Sequence, residues 1–150
     1  MVSFNNILCA VDFDRNSLLA LRVASELTRS SKGVLHIFHV VGIPSDASSF
    51  EKLEAIAKGK LERLARERVG EAVRYKVHVT NGNPDVEILV MATRLRANMI
   101  VMATHGWKGL RRLLLGSVAE AVMREAPCPV LTVRPRARSA RARRGEKGRG

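Results

Sequence analysis

Met99-Ile-Val-Met-Ala-Thr-His-Gly106-Trp-Lys-Gly109-Leu-Arg-Arg-Leu-Leu-Leu-Gly116-Ser117-Val-Ala-Glu-Ala-Val-Met-Arg-Glu125 is the stretch that decides the fold. It begins as an apolar strand and ends with helical spacing, and glycines punctuate the segment between. Gly106 and Gly109 permit tight turns, and Gly116 leaves room beside the unpaired N–H groups at the helix start. Those groups and the positive end of the helix dipole attract anions, phosphate above all. The stretch therefore predicts a phosphate-binding loop between a strand and a helix.

Outward from this stretch, strand and helix patterns alternate. Asn6–Val11 is a nearly continuous apolar run, as in a strand buried on both faces of a parallel sheet. After Asp14 and Asn16, the residues Ala20, Val23, Ala24 and Leu27 form a helical stripe that Gly33 ends. Val34–Val41 is β-branched and strand-like. Residues 42–49 read as a loop. Phe50–Val69 is amphipathic, with Leu53, Ile56, Ala57, Leu61 and Leu64 on one side and Gly70 as its C-terminal cap. Ala72–Val79 alternates, as a strand with one more polar face does. Asn83 caps the next helix, with Pro84 at its first position and Asp85 and Glu87 in its positive first turn. That helix runs to about Leu95. Strands at Met99–Ala103 and Pro129–Val133 and a helix from Ser117 complete the pattern. Strict β-α alternation predicts an α/β fold: a three-layer, doubly wound sheet of five parallel strands with right-handed crossovers.

Bulk properties bound the function. A chain of 150 residues predicts one domain over 1–133, followed by a tail at 134–150. The tail holds eight basic residues against Glu146, a net of +7, which leaves +5 of the chain's +12 for the body. Low apolar content predicts that the tail is disordered. No apolar run approaches the ~18 residues of a membrane span, and the N-terminus does not read as a signal peptide. Cys9 and Cys128 make no disulfide framework, which fits a reducing cytoplasm. A metal site is not expected, because His36 and His39 lie three apart in a strand and face opposite ways.

Two common nucleotide sites are excluded. No lysine precedes Ser117 after the last glycine, so the P-loop pattern is absent. The turn after the first strand, Asp12-Phe-Asp-Arg-Asn-Ser17, has no glycine, so the dinucleotide fingerprint is absent too.

Six segments carry a resemblance. Ile7-Leu-Cys-Ala-Val-Asp12, Ser17 with Ala20, Gly82-Asn-Pro84, Val101-Met-Ala-Thr-His-Gly106, Leu114-Leu-Gly-Ser-Val118 and Ala126-Pro-Cys-Pro-Val-Leu131 resemble the universal stress protein family. The likeness is to its ATP-binding branch and covers about residues 3–133. The family's nucleotide motif is glycine, two residues, glycine, nine residues, then glycine with serine or threonine. Gly106, Gly116 and Ser117 match it, and Ala103 stands where the first glycine would be.

The resemblance implies a Rossmann-like sheet in the order 3-2-1-4-5, with a ligand crevice beyond the carboxyl ends of strands 1 and 4. It implies ATP as cofactor, with Mg²⁺. Asp12 and the backbone around Val41 would face ribose and adenine, and Gly106, Gly116, Ser117 and Val118 would hold the phosphates. Ala10, Val11, Met102, Ala103, Thr104, His105 and Gly109 complete the expected nucleotide-contacting set. The last strand, Val130–Val133, would be the edge of a homodimer. No catalytic residue is assigned, since no side chain is plainly a base for water, and hydrolysis is expected to be slow or absent.

Alternatives stand beside these readings. Ser117 and Glu120 also fit a capping box. Asp12 fits a cap of the first helix as well as a ribose or metal contact. The whole chain also fits a nucleotide-free dimeric interaction module. The tail fits a solubilising terminus or nonspecific nucleic-acid binding.

Overall fold

The computed structural model describes residues 3–104 and 115–135. β1 (Asn6–Ala10), α1 (Arg15–Ser31), β2 (Val34–Val41), α2 (Ala47–Arg68), β3 (Arg74–Asn81), α3 (Pro84–Arg94), β4 (Met99–Ala103), α4 (Ser117–Glu125) and β5 (Val130–Val133) alternate along the chain. The five strands form one parallel sheet in the order β3-β2-β1-β4-β5. That is the order the resemblance implies.

α1 and α2 cover one face of the sheet, where Ile7, Cys9, Leu35, Ile37 and Val101 meet Leu21, Ala24, Leu61 and Ala65. α3 and α4 cover the other, where Leu8, Phe38, Ile100 and Met102 meet Ile88, Met91 and Val122. Because β1 has a strand on each side and helices above and below, Ile7, Leu8 and Cys9 are wholly buried. This is why its sequence shows no alternation. The Cys9 thiol, pushed up to about 12 by burial, is held in its neutral form. No helix of the described residues is long and apolar enough to cross a membrane.

Several element ends differ from expectation. α1 ends on Lys32, which takes the left-handed conformation (φ 56°), and not on Gly33. Gly33 serves close approach instead: a Cβ there would lie 2.5 Å from the Phe4 carbonyl oxygen. α2 starts earlier than expected, at Ala47, with the Asp46 carboxylate accepting from the Ser49 amide. Its C-cap, Val69, is extended, so Gly70 is no left-handed cap. A turn closed by Val73 N–H to the Gly70 carbonyl (3.0 Å) delays β3 to Arg74. Asn83 sits at the N-cap of α3 but makes no side-chain cap bond.

The apolar stripe of α2 is only half used. Ala57, Leu61 and Ala65 are buried, whereas Leu53 and Ile56 are 41% and 57% exposed. The helix has 22 residues and β2 has eight, lengths of roughly 33 Å and 26 Å, so the helix outruns the sheet it covers.

His36 and His39 do face opposite sides of the sheet. His39 Nδ1 donates to the Val11 carbonyl (2.6 Å). His36 Nε2 lies 3.2 Å from Asn6 Oδ1, and its Nδ1 lies 2.9 Å from His78 Nε2, with the two rings stacked. Burial, then the neighbouring His78 and Lys76, push the His36 imidazole down to about 4. Burial and Lys76 also lower His78.

Two predictions follow from this packing. Gly33→Ala lowers stability by about 1–3 kcal/mol through the clash with Phe4, while Gly70→Ala, with open space around it, stays within about 0.5 kcal/mol; urea unfolding reads both. The histidine pair binds protons more weakly folded than unfolded, so its contribution is intact above pH ~6.5 and is lost as pH falls toward 4. Unfolding free energies across that range decline by on the order of 2–3 kcal/mol, as urea unfolding at each pH would read, and His36→Gln/His78→Gln flattens that part of the slope.

Candidate functional site

The sheet order makes β1 and β4 neighbours, although an αβαβα segment separates them in the chain. The helices on either side of that junction leave opposite faces of the sheet. A crevice at their carboxyl ends follows from the winding alone.

One wall is the turn after β1. Ala10 is half-buried, and Val11 is buried, with its amide donating to the Phe38 carbonyl (2.8 Å). Asp12 is exposed; its Oδ1 accepts from the Asp14 amide (3.2 Å) and its own amide donates to Ser17 Oγ (3.3 Å). The α1 cap is Asp14, which accepts from the Ser17 amide at 2.7 Å. Capping is therefore the work of Asp14, and the Asp12 carboxylate is left facing solvent. Burial raises the Asp14 carboxyl, the Ser17 amide opposes this, and Asp12 adds to the rise.

Between the two acids, Phe13 adopts φ 66°, a left-handed conformation that costs a bulky residue of order 1–2 kcal/mol. Its ring packs on His39 (centroids 4.6 Å apart), and the Lys60 ammonium lies 5.8 Å from the ring centre. His39 in turn bonds the Val11 carbonyl, so the strained turn is held from two sides. Nothing in the sequence flagged Phe13 or His39, because an aromatic is a poor signal for a position that suits glycine.

The other wall is built where β4 ends. Met102 is buried in the core and Ala103, half-buried, registers with Val133. Thr104, 6% exposed, donates its amide to the Val133 carbonyl (3.0 Å), and its carbonyl accepts the Gly116 amide at 2.6 Å. This bond brings the start of α4 back onto the end of β4. Gly116 is the N-cap and Ser117 the first helical residue, so the capping box expected of Ser117 and Glu120 does not form. Glu120 instead meets Arg124 at 3.3 Å.

Among the described residues no side chain caps α4, and the Gly116 amide is spent on Thr104. The amides at the positive end of this helix are those of Ser117, Val118 and Ala119. Ser117 is exposed, while Val118 packs partly on the core. Val41 ends β2 on the far side of β1, and its carbonyl accepts from the Gly82 amide (3.1 Å). Asp12, Val41, Ala103, Thr104, Gly116 and Ser117 thus gather at one end of three adjacent strands. His105, Gly106 and Gly109 lie outside the described residues, as do Trp107, Arg111 and Arg112. Among the described residues, no group of three or more histidines, cysteines or acids is placed to hold a metal ion.

Residues 3–134 match the universal stress protein family. The chain belongs to that family. Its curated relatives include the universal stress protein MJ0531 of Methanocaldococcus jannaschii, 31% identical over an alignment of 141 residues, gaps included, that covers 87% of this chain and 82% of the relative. The universal stress protein UspA from Lactobacillus plantarum shares the fold with a TM-score of 0.79 at 23% identity, covering 89% of this chain and all of the other. A universal stress protein from Archaeoglobus fulgidus, in complex with dAMP, superposes with a TM-score of 0.65 at 21% identity, again over 89% of this chain and all of the other.

The division of labour between the two acids is testable. Asp14→Ala costs about 1 kcal/mol of stability through loss of the cap, whereas Asp12→Ala stays within about 0.5 kcal/mol, as thermal or urea unfolding would register.

Proposed function

We propose that the chain binds an adenine nucleotide, ATP with Mg²⁺, in the crevice between the β1 turn and the start of α4. In this reading it acts as a cytoplasmic, dimeric stress-response factor whose state depends on that ligand. The observation that carries the proposal is the uncapped α4 N-terminus held against the end of β4 at the switch point. Three main-chain amides and the helix dipole there suit a phosphate group, and the exposed Ser117 hydroxyl adds a donor. Asp12, freed from capping, suits a ribose hydroxyl or a cation on the opposite wall. Membership of the family, together with the dAMP complex of the A. fulgidus relative, supports an adenine nucleotide as the class of ligand.

Slow or absent turnover is part of the proposal. Fast phosphoryl transfer needs an oriented water and a base beside it. Asp12 and Asp14 are the acids of the crevice wall, and Asp14 is committed to its cap. The dimer is proposed through β5, which pairs only with β4 and presents Val130-Leu-Thr-Val133 without a charge. The opposite edge, β3, carries Arg74 and Lys76, the kind of charges that discourage edge pairing.

Ser117→Pro tests the site. Proline suits the first helical position, and Gly116 is already extended (φ −69°, ψ 158°), so the helix is kept while one amide is removed. The parent protein at ATP about 100-fold above its Kd gains roughly 2.7 kcal/mol, a rise in Tm on the order of 5–10 °C. Ser117→Pro loses most of that rise while its Tm without ligand is retained, and Ser117→Ala keeps part of it. No rise in the parent at millimolar ATP-Mg²⁺ rejects the proposal. That result leaves a nucleotide-free module, for which the Ala103 methyl at the first motif position is the favouring observation.

A further inference from the structure

We propose that the end of the sheet opposite the crevice is a nucleic-acid-binding rim, which grips phosphate backbone independently of the basic tail. At that end the helices finish and the strands begin. Arg29 and Lys32 close α1, Arg68 closes α2, Arg74 opens β3, and Arg94 and Arg96 follow one another at the end of α3. All six are exposed. With Arg66, the other cation in the last turn of α2, they make seven against Glu26, Glu67 and Glu71, a net of +4, while Arg124 and Glu125 at the end of α4 cancel. Among the described residues the crevice end has the opposite balance, with Asp12, Asp14, Asp46, Asp85 and Glu87 against Arg15 and Arg134.

Helix dipoles account for one basic residue in each last turn, as with Arg29, Arg68 and Arg94. Lys32, the C-cap of α1, Arg96, just past the C-cap of α3, and Arg74, from a strand, are additional to these. Lys32 (φ 56°) and Arg96 (φ 50°) are two of the three described non-glycine residues in the left-handed region. Glycine or asparagine would sit there without strain. The fold instead holds a cation at both positions. Arg74 lies in a strand, and its Nη2 donates to the backbone carbonyl of Lys32, the C-cap of α1, at 2.9 Å. The Arg74 guanidinium is thereby held at the end of α1, and neither residue is in an ion pair among the described residues.

The arrangement is linear. Arg74 begins β3, Lys32 precedes β2 and Arg96 precedes β4, in a sheet ordered β3-β2-β1-β4. At about 4.8 Å per strand the line is roughly 14 Å long, the rise of about four phosphates on one strand of a duplex. Five of the six side chains are arginine, whose planar fork grips phosphate oxygens two at a time. Nothing on the rim reads base edges, so the expected binding is indifferent to sequence and steeply dependent on salt.

The test is fluorescence anisotropy of the full-length protein with a labelled 20-base-pair DNA duplex at 50–200 mM salt. Lys32→Gln/Arg74→Gln/Arg96→Gln binds about tenfold more weakly at low salt, and its log–log salt slope shrinks by about 2–3. A full-length variant with the eight basic residues of 134–150 changed to Gln retains measurable, salt-sensitive binding. Lys32→Gly/Arg96→Gly separates binding from folding: relief of strain raises its Tm by about 2–4 °C while DNA affinity falls. The proposal is overturned if the triple variant binds like the parent, or if neutralising the tail alone abolishes binding. It is overturned equally if the parent binds phosphatidylglycerol vesicles and ignores the duplex.

Discussion

The hydrogen bond from the Gly116 amide to the Thr104 carbonyl is the constraint on which the crevice depends. Thr104 is buried and is tied by its own amide to Val133, so its backbone has no freedom to follow a drifting helix. Leaving that carbonyl unpaired would cost about 1–3 kcal/mol, enough to hold the first turn of α4 against the end of β4. The same bond consumes the one amide that a glycine at the N-cap would otherwise offer. The donors left for an anion therefore begin one residue later, at Ser117. Glycine matters here less for flexibility than for letting two backbones meet.

The opposite wall rests on a different kind of constraint. Phe13 is held in a left-handed turn with His39 and Lys60 against its ring, and the ring itself packs on the α1–α2 side of the sheet. The turn splits the work of two acids: Asp14 caps α1 and Asp12 faces outward. The start of α4 and a solvent-facing carboxylate thus stand at the ends of neighbouring strands. Parallel winding also sorts charge along the strand axis, with acids at the helix starts and cations at the helix ends. Lys32, Arg74 and Arg96 add cations to the ends of α1 and α3.

Much of the fold was legible because its signals are local. The apolar run at β1, the alternation of strand and helix, and the position of α4 after Gly116 all survive into the structure. The misses have physical causes. Gly33 was read as a helix stop, but the left-handed residue is Lys32, and the glycine answers a contact with Phe4 from a segment 29 residues away. The α2 stripe was read as wholly inward, yet Leu53 and Ile56 stand exposed, because periodicity reports a face and not the length of the partner beneath it. At the site, the residue pattern indicated the α4 start, and the family resemblance indicated Asp12 and Val41. Asp14's role and Phe13's strain depend on dihedral angles that composition does not encode.

The most direct measurement of the central claim is an ¹⁵N amide NMR titration of the full-length protein with ATP-Mg²⁺. The account predicts that the Ser117, Val118 and Ala119 amides shift downfield together and saturate, while the Gly116 amide, already bonded to Thr104, moves less. Shifts confined to the basic rim or the C-terminal tail, with those three amides unmoved, would contradict it.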